Sequence, residues 1–151
     1  MTPEQTNDVL EILDGAQDMT IATVRDDGYP QATTVSFVHD GLTIYFGCDP
    51  NSQKARNIKH SDKVSLTVDL PYKKWNQIRG LSLGGRAQFV TDPAEIERVS
   101  ELMFERFPQI REFINTDEPQ QLSVVRITPE IISLLDYRKG FGFTEEIRIT
   151  N

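Results

Sequence analysis

The sequence predicts an α+β chain built on a mainly antiparallel β-barrel of six or seven strands, with helices at its periphery. Three observations lead there. Short runs rich in Val, Ile, Thr and Phe recur along the chain, the period-2 and β-branched signature of half-buried strands. Asp27-Gly28 and Asp40-Gly41 separate the first three of these runs, which makes them an antiparallel meander. The strands are short and only two or three helices lie around them, which suits a small barrel, and a barrel also leaves no strand edge unpaired.

In order, Thr2, Pro3 and Gln5 form a helix start: a hydroxyl cap, a proline at the first helical position and a Gln three residues after the cap. The helix carries Val9, Leu10, Ile12 and Leu13 on one stripe and stops at Gly15. Strands are expected at Met19–Arg25, Gln31–His39 and Leu42–Phe46, with Gly47 to Asn51 breaking the third. A short helix, Gln53 to His60, leads to a strand at Lys63–Asp69 and a loop holding Pro71, Tyr72 and Trp75. Leu81–Val90 reads as a long strand with a bulge at Gly84-Gly85. Thr91-Asp92-Pro93 opens a helix bearing Ile96, Val99, Leu102, Met103 and Phe107 at helical spacing. Two last strands, Leu122–Thr128 and Ile131–Tyr137, are expected on either side of Pro129.

The 151 residues suit one domain with a substantial core. A formal charge of -7 argues against a surface that wraps nucleic acid, which is gripped through clustered Lys and Arg. Cys48 is the single cysteine, so no intrachain disulfide forms and no cysteine-rich zinc site exists; a reducing cytoplasm fits. Without an 18-residue apolar run, and with an acidic, polar start, neither a membrane span nor a signal peptide is expected. His39 and His60 are too few and too far apart in sequence to argue for a metal site.

Chemistry concentrates between Leu42 and Ile58. There a strand ends, a tight loop follows, and Ser52 stands where the cap of a helix beginning Gln53-Lys54-Ala55-Arg56 belongs. The first N–H groups of a helix have no partner within it and carry the positive end of its dipole, so Ser52, Lys54 and Arg56 make a seat for a phosphate. The same pattern also occurs on surface helices with no ligand.

The order of G-Y-P-Q-A-T-T-V-S-F, D-G-L-T-I-Y-F, S-Q-K-A-R-N-I, K-V-S-L-T-V and L-G-G-R-A resembles the pyridoxamine 5'-phosphate oxidase-like family of FMN-binding split barrels, most closely between Met19 and Val90. The resemblance implies a split barrel that binds FMN and acts as an oxidoreductase on a small molecule. Ser52 and Lys54 would hold the FMN phosphate, with Gln53 contributing its backbone. Thr33, Thr34 and Val35 would run along the isoalloxazine ring, or are barrel-wall residues favoured for packing alone. Cys48 takes a place near the phosphate or ribityl chain that the family gives to Thr or Ser, where a buried inert thiol is the alternative to redox chemistry. Arg86, and Arg79 with it, would stabilise negative charge on the ring; each alternatively makes a salt bridge between subunits. Asn57 caps locally or reaches the ribityl chain. Tyr72 and Trp75 either cover the ring or plug a hydrophobic gap. The resemblance also implies a homodimer with cofactor sites across the interface.

Departures from the family pattern matter as well. Gln31 aligns where the authentic oxidase carries Arg, and its Arg-rich closing segment is replaced by D-Y-R-K-G-F-G-F, which puts the oxidase's own substrate site in doubt. No catalytic acid can be named. Two other classes stay open: a non-catalytic FMN- or haem-binding protein, and a deazaflavin-dependent reductase.

Overall fold

A computed structural model describes residues 1–113 and 122–149. Helix α1 (Pro3–Gly15) opens with the reciprocal bonds of a capping box between Thr2 and Gln5 and buries Val9, Ile12 and Leu13. Strands β1 (Asp18–Val24) and β2 (Pro30–Ser36) form the first hairpin, and β3 (Val38–Asp40) and β4 (Thr43–Cys48) the second. Helix α2 (Gln53–His60) links β4 to β5 (Lys63–Asp69), and a short 3-10 turn at Trp75–Gln77 precedes β6 (Arg79–Phe89). Helices α3 (Pro93–Arg106) and α4 (Ile110–Phe113) are followed by β7 (Ser123–Asp136) and β8 (Thr144–Arg148).

These eight strands make one antiparallel sheet in the order β2-β1-β5-β6-β7-β4-β3, with β8 also paired to β7. Strands β2 and β3 lie at opposite ends of that order, yet Phe37 alone separates them in the chain. The sheet must therefore curl until its two edges meet at Phe37, which is fully buried. The expected second strand, Gln31–His39, is thus one bent path whose first half pairs with β1 and whose second half pairs with β4. The predicted meander survives in that form, and the split barrel is confirmed.

Cross-strand neighbours point to the same face. Inside, Ile21, Leu66, Leu83, Ile132 and Ile147 form one continuous row of buried side chains. Helix α1 closes one end of this core. Helix α3 packs Val99 against Val38, Tyr45 and Val90 as a second cluster. Tyr45 donates to Glu95 at 2.8 Å, and Glu95 in turn holds Arg126 at 2.6 Å, tying α3 to β4 and β7.

Three expectations need correction. The strands placed on either side of Pro129 are one strand of 14 residues. Pro129 opposes Gly85 while Ile131 opposes Gly84, so Glu130 is the extra residue of a bulge and the missing proline N–H costs the ladder little. A Cβ on Gly85 would stand 2.5 Å from the Thr128 carbonyl oxygen, so only glycine fits opposite that bulge. Gly47 and Cys48 belong to β4 rather than to the break after it. Finally, β8 was not foreseen; its T-E-E-I-R sequence buries only Ile147.

Candidate functional site

Ser52 caps α2 as expected. Its hydroxyl accepts from the Ala55 amide at 3.2 Å and donates to the Asp49 carbonyl at 2.7 Å, which locks the Asp49–Ser52 turn onto the helix. The Arg56 amide bonds the Ser52 carbonyl. Among the described residues this leaves the amides of Gln53 and Lys54 as the uncommitted donors of the first turn. The Lys54 ammonium lies 5.9 Å from the centre of the Phe46 ring and has no carboxylate within ion-pair distance among the described residues. Cys48, at the end of β4, is buried beside both. Burial pushes its thiol up, against the opposing pull of the Lys54 charge and of a hydrogen bond with Ser52. Cys48, Ser52, Gln53 and Lys54 are therefore one cluster.

The strand that joins this cluster is fixed through Asn57, which is 1% exposed. Its amide nitrogen donates to Gln31 Oε1 and to Thr23 Oγ1, both at 3.0 Å, and its carbonyl accepts from Gln53 Nε2 at 2.7 Å. Asn57 thus ties α2 to β1 and β2 across the fold rather than capping locally. Gln31, which replaces the family's Arg, is a neutral acceptor in this network. From Gln31 the edge strand carries Thr33 and Val35 on the barrel-facing side, with Thr34 on the outer, exposed side. Side chains of all three cannot lie against one ring face; their backbone can. Thr33 Oγ1 is buried with no partner.

Other expected residues fall elsewhere. Arg86 follows the bulge glycines and is held by Asp62 at 2.9 Å and Glu130 at 3.0 Å, beyond the C-terminal end of α2. Arg79 lies at the opposite end of β6, about 23 Å along the strand, against Glu11 at 3.0 Å and Asp8 at 3.7 Å. The two arginines cannot flank one ring edge within a single chain. Trp75, Phe141 and Tyr137 form an exposed cluster, with ring centres 6.0 Å apart for Trp75 and Phe141 and 5.2 Å for Tyr137 and Phe141. This cluster lies at the end of the barrel reached by β5, about 20 Å of strand away from α2. Arg56 donates to the Asn51 carbonyl and to Gln53 Oε1 and faces outward. Sequence reasoning gave Gln31 no part in tying β2 to α2; no local signal marks it, because its partner is 26 residues away.

A curled antiparallel sheet whose two edges meet at Phe37, with a short helix between its fourth and fifth strands, defines a split barrel as the class. The chain matches the family model of pyridoxamine 5'-phosphate oxidase over residues 5–136, and it belongs to that family. It is 28% identical over 129 residues, 85% of this chain and 86% of the relative, to general stress protein 26 of Bacillus subtilis. Among solved structures, general stress protein 26 from Bacillus anthracis superimposes with a TM-score of 0.71 at 18% identity, covering 97% of this chain and 99% of that one. A haem-binding protein from Mycobacterium smegmatis reaches 0.80 at 17% identity, covering 98% of this chain and 59% of the other. At such identities these structures show the fold alone. Among the described residues no group of three or more His, Cys, Asp or Glu is placed to hold a metal ion, and no helix is long and apolar enough to cross a membrane.

Proposed function

We propose that this protein binds FMN between the start of α2 and the edge strand β2, and works as an FMN-dependent oxidoreductase on a small molecule. The observation that carries this reading is the pair of uncommitted amides at Gln53 and Lys54, beside the Lys54 ammonium, in a chain of the pyridoxamine 5'-phosphate oxidase family. A phosphate monoester brings about -1.5 to -2 charge and strong acceptor oxygens. The Lys54 ammonium and the two free amides supply charge-assisted bonds to it. Ser52 holds the turn in shape, and Phe46 and Cys48 wall the seat. The backbone of Thr33, Thr34 and Val35 presents donors and acceptors along the free edge of β2, and the orphaned Thr33 hydroxyl fits a polar group of the ligand. Bound flavin supplies hydride and electron transfer; the protein places it and excludes water. Arg86, with two carboxylates already on it, braces the far end of α2 in this scheme rather than touching the ring.

A homodimer completes the proposal. Two cross-strand rows cross the middle of the outer sheet face from β2 to β7: Thr34, Thr20, Thr67, Ser82 and Ser133, and beside them Ala32, Ala22, Ser65, Gly84 and Ile131. None of these ten is charged, although charged residues make up 26% of the chain; the charges begin where the rows reach β8, at Glu146 and Arg148. A small-residue, uncharged patch of sheet face is what a second copy packs against, and the exposed aromatic cluster of one copy is then free to approach the seat of the other.

The haem reading, which the haem-binding protein of similar fold suggests, asks for an iron ligand at the seat. Both ring nitrogens of His39 are occupied, by Asp14 at 2.6 Å and the Gly41 carbonyl at 2.9 Å, and His60 stands at the far end of α2. A deazaflavin with a longer tail asks for further cations, which this acidic chain offers sparingly. Purified protein that is yellow, with absorbance near about 450 nm and FMN released on denaturation, supports flavin; bleaching by NAD(P)H then separates an enzyme from a binder. A colourless preparation that FMN cannot reconstitute overturns the reading.

A further inference from the structure

A second face of α2 builds a different site. Gln53, Arg56, Asn57 and His60 follow each other at i, i+3, i+4 and i+7, so they share one face of the helix, while Lys54 is rotated about 100° from Gln53. Together with Arg25 and Asp26 at the end of β1 they line a pocket of about 280 Å³ between the helix and the first hairpin.

The chemistry of that lining is cationic. Arg56 spends its bonds on two neutral oxygens, the Asn51 carbonyl and Gln53 Oε1, and meets no carboxylate within ion-pair distance among the described residues. The Arg25 guanidinium holds one carboxylate among the described residues, the exposed Asp27, in a long contact at 3.4 Å. His60 adds a ring with no hydrogen-bond partner among the described side chains, and Asp26 is the one acid in the lining. The floor is rigid, since Asn57 is buried and holds three hydrogen bonds. Two arginines from separate elements line this pocket above a rigid polar floor, and guanidinium groups match the oxygens of a phosphate in paired contacts that a lone ammonium cannot make. The volume is at the lower limit of small-molecule sites and accepts a phosphate with a few carbon atoms attached.

We infer that this pocket is a second anion site, distinct from the Ser52–Lys54 seat, which takes the phosphate group of a small phosphorylated metabolite through Arg25, Arg56 and His60. It goes beyond the flavin reading and stands without it. The chain has two histidines, so imidazole proton resonances give a direct readout, with His39, held between Asp14 and Gly41, as an internal reference. Titrating the full chain with inorganic phosphate at constant ionic strength is expected to shift the His60 resonances saturably and leave those of His39 in place. Arg56→Gln is expected to raise the half-saturating concentration about tenfold or more, as for loss of a charged hydrogen bond, whereas Lys54→Ala leaves it unchanged. An equal shift with chloride, a response that survives Arg25→Gln/Arg56→Gln, or one abolished by Lys54→Ala overturns the inference. Loss of FMN binding in Lys54→Ala, with the His60 response intact, leaves the two sites independently established.

Discussion

The amide nitrogen of Asn57 lies 3.0 Å from Gln31 Oε1, and this contact joins the helix that would seat a phosphate to the strand that would carry the ring. With Thr23 and Gln53 as further partners, Asn57 has three of its four hydrogen bonds made in a buried position. Replacing it leaves Gln31 and Thr23 facing a gap. Asn57→Leu is expected to lower unfolding free energy by about 1–3 kcal/mol, the cost of unsatisfied buried polar groups. Urea denaturation checks this, and an unchanged midpoint would show that the network contributes nothing.

The outer face of the sheet gives a prediction about assembly. Thr67 and Ala22 sit inside the uncharged rows, so Thr67→Arg or Ala22→Glu is expected to convert a dimer to a monomer without loss of secondary structure. Sedimentation velocity at micromolar concentration reads the outcome. A wild-type protein that sediments as a monomer contradicts the interface.

Acid stability is expected to depend on Asp136. It is 1% exposed, and the bidentate Arg138 guanidinium, the Arg138 backbone amide and the charge of Arg79 hold its carboxyl below the usual carboxylate range against the cost of burial. A carboxyl whose folded pKa is depressed stabilises the fold fully above its ordinary value near 3.8 and loses that contribution as the pH falls below it. Arg138 is half exposed, so Asp136→Asn is expected to cost about 1–2 kcal/mol at neutral pH, the lower part of the range for hydrogen bonds to a charged group, and to flatten the loss of stability below that value. Denaturation curves from neutral pH to the acid limit of folding test both parts. A variant as stable as wild type at neutral pH excludes the pair as a support.

Tyr45 supplies the alkaline counterpart. Burial, and then its bond to Glu95, push the phenol up to about 12. The fold therefore favours the protonated ring, a stabilisation that is complete below an ordinary value of 10.0 and is lost as the pH rises through 12. Tyr45→Phe should remove that alkaline sensitivity at a cost near about 1 kcal/mol for the hydrogen bond. Ultraviolet titration should show a late phenol in wild type that is missing from the variant.

What could be read in advance follows from how far each signal reaches along the chain. The Thr2–Gln5 box, the Ser52 cap, the Asp92-Pro93 helix start and the Gly84-Gly85 bulge are local, and each appears where residue chemistry puts it. Pro129 misled because a proline without its N–H breaks a ladder unless a bulge absorbs it, and the bulge depends on Gly85, more than forty positions earlier. Strand β8 was invisible because β7 pairs with it through backbone while Thr144, Glu145 and Glu146 give no apolar alternation. At the site, the cap and its lysine were legible. The Gln31–Asn57 tie and the two carboxylates on Arg86 were not, since each exists only after the barrel has closed.

The central claim is that the flavin phosphate is gripped at Ser52–Lys54. Binding of FMN and of riboflavin, which differ in that phosphate alone, tests it most directly by fluorescence titration of wild type and of Lys54→Ala. Wild type is expected to prefer FMN, and Lys54→Ala to lose about 1.5–3 kcal/mol of FMN affinity, the range for a hydrogen bond to a charged group, with riboflavin affinity unchanged. Equal affinity of wild type for the two flavins, or an FMN preference that Lys54→Ala leaves intact, would contradict it.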